Sequence, residues 1–282
     1  EKWAYVPVSV MPNMYKLGDA NYPGNHQSLL DGSPVMGDIF VGGAWKTIIV
    51  GGLNAGGRSY YALDITDPTA PKKLWEFSDS NLGLSFGNPI ITKKKDGTWV
   101  VLFASGYNNV STGDGNGHLF MVDANTGAKL LDLATASVGT TTTPSGLAKI
   151  NAYVASDIDN TADVVYGGDL LGDVWRFDIN STVPPYLSAM LLAELKIGSA
   201  PQPITSKPAV AEVSYQGSKF KVVYVGTGKY LGAADLTDTS KQTIYALKDT
   251  RAATGLGNVR TAKAADASDL MVVQTASTAS SA

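Results

Sequence analysis

The apolar residues of this chain fall in short β-branched and aromatic runs, each closed by glycine, asparagine or aspartate, and almost nowhere do they keep the i, i+3, i+4, i+7 spacing of a helix. Such runs predict strands. Four of them are Ile48-Ile49-Val50-Gly51, Leu102-Phe103-Ala104-Ser105-Gly106, Val164-Val165-Tyr166-Gly167 and Val222-Val223-Tyr224-Val225-Gly226. After each comes a second run of the form aromatic, any residue, apolar, Asp or Lys: Tyr61-Ala62-Leu63-Asp64, Phe120-Met121-Val122-Asp123, Trp175-Arg176-Phe177-Asp178 and Tyr245-Ala246-Leu247-Lys248. The leading aromatics of this second run stand 59, 55 and 70 residues apart. Each copy opens on a proline, in Ser33-Pro34-Val35, Asn88-Pro89-Ile90, Thr143-Pro144-Ser145 and Lys207-Pro208-Ala209, the third being the loosest. A unit of three or four short strands repeated at this period predicts an all-β fold of the β-propeller kind. Val50, Leu63, Phe103, Val122, Val165, Trp175, Val223 and Leu247 are then expected in the core. Only Leu187 to Leu195 has apolar spacing that predicts a short helix.

With 282 residues and 44% hydrophobic content, the chain can bury a large core, and the repeat argues for one domain. That domain is expected over residues 1–254. Its opening Glu1 to Pro7 reads as the outer strand of a first blade whose earlier strands are missing from the fragment. Residues 255–282 are expected to be poorly ordered, since the end from Thr275 holds only Ala, Ser and Thr. No run of 18 apolar residues is present to span a bilayer. A net charge of −3 without a basic stripe argues against nucleic acid as a partner. The cluster Lys93-Lys94-Lys95 runs into Asp96-Gly97, a hairpin-turn pair, and reads as a solvated hairpin. The absence of cysteine removes thiol catalysis, cysteine-ligated zinc and disulfides together.

The sharpest chemical feature is Asp157-Ile158-Asp159-Asn160-Thr161-Ala162-Asp163, just ahead of the Val164 strand. Calcium takes six to eight oxygens from carboxylates, amides and backbone carbonyls, and this loop concentrates such donors. Three carboxylates in seven residues also repel one another unless a cation or solvent compensates. An exposed Asx turn capping a hairpin accounts for the same residues, and both readings stand. Gly52 to Ser59 nearly matches a phosphate-binding loop, but Arg58 stands where lysine is required and a strand follows where a helix is needed. Of the two histidines, His118 opens a strand and reads as structural, while His26 lies in a loop. No hydrolase or metalloprotease motif accompanies them.

Longer strings carry a family resemblance: Gly43-Ala44-Trp45-Lys46-Thr47, Tyr60-Tyr61-Ala62-Leu63-Asp64-Ile65-Thr66-Asp67-Pro68, Ser105-Gly106-Tyr107-Asn108-Asn109, Tyr166 through Asp178, and Val225 through Gly232. From Trp3 to about Thr254 the chain resembles the C-terminal propeller of the type IV pilus tip-associated adhesins, the PilY/PilC family. The resemblance implies a modified seven-bladed propeller, similar in shape to quinoprotein dehydrogenases, attached to a larger N-terminal region. It further implies a non-enzymatic protein at the cell surface, at the pilus tip or outer membrane, active in pilus biogenesis, twitching motility and adhesion. Its partners would be pilin and minor pilins, with host surface receptors on the adhesive side. Some members of the family bind calcium in a loop ahead of this strand, and the matching positions here are Asp157, Asp159, Thr161 and Asp163. Ala155 departs from the pattern, which carries an acid there. Two other classes compete: a quinoprotein oxidoreductase, suggested by the repeat and by Asp123-Ala124-Asn125-Thr126-Gly127, and a ligand-free scaffold propeller.

Overall fold

Each sequence repeat closes into one four-stranded antiparallel sheet whose strands pair in chain order. In the computed structural model, which describes residues 2–136, 138–156, 158–215, 217–261 and 273–276, these sheets form four consecutive blades. Blade one holds β1 (Val35–Val41), β2 (Ala44–Gly52), β3 (Tyr60–Asp64) and β4 (Lys72–Phe77). Blade two holds β5 (Ile90–Lys93), β6 (Trp99–Ala104), β7 (His118–Asp123) and β8 (Lys129–Ala134). Blade three holds β9 (Ile150–Val154), β10 (Ala162–Gly168), β11 (Asp173–Asp178) and β12 (Ala189–Glu194). A small hairpin, β13 (Lys196–Ile197) with β14 (Ala200–Pro201), leads into blade four: β15 (Ala209–Tyr215), β16 (Ser218–Gly226), β17 (Gln242–Asp249) and β18 (Val273–Ala276). The matched aromatic-apolar runs form equivalent strands, as the repeat predicts, and the structure places them third in every blade.

Pro34, Pro89 and Pro208 stand immediately before β1, β5 and β15, where a missing backbone N–H costs no ladder bond. The loosest copy behaves differently, because β9 starts only at Ile150. The residues after Pro144 are instead used between blades: Ser145 N–H donates to the Gly115 carbonyl at 2.8 Å, and Leu147 is fully buried. The short helix expected over Leu187 to Leu195 is a correction: within that stretch Ala189–Glu194 forms β12. Met190 and Leu192 face the core shared with blade four, whereas Ala189 and Leu191 pack on the core shared with blade two. A strand covered on both faces is apolar throughout, and an unbroken apolar run imitates helical spacing.

The same alternation builds the whole core. In blade two, Val101, Phe103, Phe120 and Val122 face blade one, while Val100, Leu102, Leu119 and Met121 face blade three. In blade three, Trp175 and Phe177 face blade two; Val164, Tyr166 and Val174 face blade four, where they meet Val223, Val225, Tyr245 and Leu247. All eight positions expected in the core are buried. Side chains that alternate across a strand thus turn a stack of sheets into continuous apolar layers. Close approach between turns demands glycine at Gly106, whose φ of +74° is left-handed and whose added Cβ would lie 1.9 Å from the Leu84 carbonyl oxygen.

The two ends of the stack differ. Residues 2–7 form no strand, contrary to expectation. Pro7 offers no N–H, and the neighbouring Tyr5 hydroxyl and Val8 N–H both donate to the Glu76 carboxylate, at 2.6 Å and 3.0 Å, instead of to a ladder. Tyr5, Val6 and Val10 lie over Tyr61 and Leu63, so this segment covers the outer face of blade one. Among the described residues no such segment covers Tyr224 and Ile244 of blade four, the latter 60% exposed. Beyond residue 254, Leu256 and Val259 enter the core between blades three and four, and β18 pairs with β17.

Candidate functional site

The acidic loop connects β9 to β10 at the rim of blade three, where blades two and four both reach it. Asp157 lies outside the described residues. Asp159 is exposed and pairs with Lys93 Nζ at 2.9 Å; Thr161 and Lys93 hold its carboxyl below the ordinary range. Asn160 sits at φ +51°, a left-handed conformation that asparagine tolerates better than most residues. Its carbonyl accepts from Lys93 N–H at 2.9 Å and from the Thr92 hydroxyl at 2.7 Å. Asp163 is largely buried and meets two cations, Lys95 Nζ at 2.9 Å and the Arg251 guanidinium, which forks onto both carboxylate oxygens. Burial acts to raise the Asp163 carboxyl, but Arg251 and Lys95 outweigh it and hold the group below its ordinary value.

These contacts decide what the loop can hold. Lys93 and Lys95 belong to the β5–β6 hairpin, which forms as expected but is not merely solvated, because two of its lysines reach across to blade three. Each described carboxylate of the loop therefore faces a protein cation. Among the described residues no three acidic or histidine side chains converge, and calcium needs six to eight oxygens, so the described donors do not assemble a calcium shell.

A second polar centre lies between blades three and four, and sequence reasoning missed it. Arg176 of β11 is fully buried and donates to Asp249 Oδ1 of β17 at 2.5 Å, to the Pro184 carbonyl at 2.6 Å and to the Ala252 carbonyl at 2.7 Å. Asp249 also accepts the Tyr166 hydroxyl at 2.7 Å and the Arg251 N–H at 2.7 Å. Burial, reinforced by the Asp249 charge, pushes the Tyr166 phenol far above its ordinary range. The available signal was an arginine between two large aromatic side chains in Trp175-Arg176-Phe177, a place that demands a buried partner.

One residue earlier, the Trp175 indole N–H donates to Asp169 Oδ2 at 2.9 Å, and Asp169 Oδ1 accepts the N–H groups of Leu171 and Asp173 at 3.0 Å and 2.9 Å. Burial, with the Asp173 charge beside it, pushes Asp169 up to about 7. Burial likewise raises Asp173 to about 6, and its Oδ1 has no hydrogen-bond partner among the described residues. His118 opens β7 and is held between Asp132 Oδ1 at 2.7 Å and Asp114 Oδ1 at 3.2 Å. Burial disfavours its charge, yet those two carboxylates prevail and raise its pKa. The stretch Gly52 to Ser59 leads into β3, and Arg58 donates to the Asn108 carbonyl at 2.9 Å, so no helix N-terminus awaits a phosphate there. On blade one the side chains of Phe40 and Trp45 touch and are 48% and 61% exposed.

Residues 5–278 match the family described as the PilY1 beta-propeller domain. The chain is 35% identical over 276 residues to the type IV pilus biogenesis factor PilY1 of Pseudomonas aeruginosa strain PAO1, an alignment covering 88% of this chain and 23% of that protein. A PilY1 homolog from Xylella fastidiosa is 30% identical over 272 residues, covering 88% of this chain and 18% of the homolog. The chain thus spans less than a quarter of the length of these relatives. The crystal structure of the Pseudomonas aeruginosa PilY1 C-terminal domain superposes with a TM-score of 0.74 at 33% identity, covering 91% of this chain and 56% of that one.

Proposed function

Because this chain belongs to the PilY1 β-propeller family, we propose that it serves type IV pilus biogenesis as a non-enzymatic propeller segment of a longer, pilus-associated protein. The match over residues 5–278, nearly the entire chain, carries this reading. The architecture supports it physically. Closely stacked blades make a rigid body that presents loops at its rim, which suits an assembly component better than a lidded catalytic pocket. Of the two histidines, one is buried between carboxylates and the other, His26, lies exposed against Tyr22.

The partners we assign are pilin and minor pilins, with the protein facing the cell exterior. An adhesive role toward host surface receptors would use the exposed apolar face of blade one, where Phe40 and Trp45 stand directly opposite each other in the β1–β2 ladder and Met36 is exposed four residues back along β1. Exposed aromatics of this kind are the usual anchors of a binding surface. Pili sheared from the source cells and sedimented should carry the full-length protein, detected with antibody against this chain. Its retention wholly in the cell body, while pilin sediments normally, would count against the assignment.

A further inference from the structure

We propose that Lys93, Lys95 and Arg251 act as built-in counter-cations of the acidic loop, so that the junction of blades two, three and four is locked without calcium. The charge balance is the first reason. Among the described residues Asp159 and Asp163 bring two negative charges, and Lys93, Lys95 and Arg251, all within ion-pair reach of them, bring three positive ones. A divalent ion entering the loop would have to displace ammonium and guanidinium groups already engaged through charge-assisted hydrogen bonds, which are about twice as strong as neutral ones. Forked Arg251 is the hardest to dislodge, since its planar guanidinium holds both oxygens of Asp163.

Three backbone oxygens of the loop are engaged as well. Calcium commonly completes its shell with main-chain carbonyls. Here the Asn160 carbonyl is taken by Lys93 and Thr92, and the carbonyls of Ala162 and Asp163 accept the Asn180 side-chain amide at 2.9 Å and 3.1 Å. Asn180 in turn accepts the Lys95 N–H at 2.9 Å, which ties the hairpin of blade two to the same carbonyls. Ala155 supplies no side-chain oxygen to replace them. Position completes the argument: Lys95 comes from blade two, Asp163 from β10 of blade three, and Arg251 follows β17 of blade four. Arg251 is aimed by its own backbone, which sits at φ +64° with its N–H on Asp249. One carboxylate therefore joins three blades, a task that elsewhere a metal ion would perform.

The purified chain should show the same thermal midpoint in EDTA and in millimolar CaCl2, and calcium titrated into it should give no saturable heat. A ligand that bound the folded loop would raise the midpoint by mass action, so a calcium-dependent rise, abolished by Asp159→Asn, would overturn the proposal. The lock itself is read by a cycle of Asp163→Asn and Arg251→Gln in EDTA. Each single substitution should lower the midpoint, and the double should lower it by clearly less than the two losses combined. Simple additivity would overturn it. Should Asp163→Asn fail to fold, the cycle of Lys95→Gln with Arg251→Gln serves instead. Both cations act on one carboxylate, so together they should lower the midpoint by a different amount from their sum, and additivity there would again refute the lock.

Discussion

Replacing Arg176 with Met lowers the unfolding free energy by about 3–5 kcal/mol, the cost of leaving a buried charge without its partner. The loss arises at the face between blades three and four. Arg176 and Asp249 are each about 2% exposed at the side chain and lie 2.5 Å apart, so neither gains water when the other is removed. Met preserves much of the side-chain volume, which isolates the electrostatic effect from cavity formation. Asp249 would keep the Tyr166 hydroxyl and the Arg251 N–H but no cation at its Oδ1. Adding Asp249→Asn to the same variant should recover part of the loss, because the orphaned charge disappears. Urea unfolding of the three variants measures both effects, and a double variant no more stable than Arg176→Met would remove the ion pair from this account.

Trp175→Ala opens the opposite face of the same strand and should cost about 3–5 kcal/mol, as for a large aromatic removed from a closed core. Trp175 is fully buried among the side chains shared by blades two and three. Its loss also strips the indole donor from Asp169, whose carboxylate then keeps only two backbone N–H groups. Trp175→Phe separates the contributions, since it restores most of the apolar contact without the donor. It should fall between wild type and Ala, with about 1–3 kcal/mol lost to the unsatisfied carboxylate and the smaller ring. The measurement is the same urea titration, and equal losses for Phe and Ala would assign the whole effect to the hydrogen bond.

The strand framework was legible because it rests on short-range patterning. The four aromatic-apolar runs had to be equivalent strands once their spacing repeated, and the buried face of each follows from alternation. Two things were out of reach for physical reasons. The run ending at Leu195 looked helical because both faces of β12 are covered, and periodicity disappears when no face is polar. The other is pairing at long range. Lys93 and Asp159 are 66 positions apart, and Arg251 and Asp163 are 88 apart, so nothing local indicates that the acids of the loop meet cations from two other blades. Asp157 to Asp163 was visible as a concentration of oxygen donors, whereas its neutralisation belongs to the stacking of blades. Arg176 is the intermediate case. An arginine flanked by Trp175 and Phe177 announces a buried partner without naming Asp249.

The central claim is that this stack of blades is what the longer protein needs for type IV pilus biogenesis. The direct measurement is the amount of pilin sheared from cells in which residues 5–278 are deleted in frame from the full-length gene, with the truncated protein confirmed at normal abundance. The account predicts a collapse of surface pilin that the intact gene restores. Surface pilin at the wild-type level in the deletion strain would contradict it.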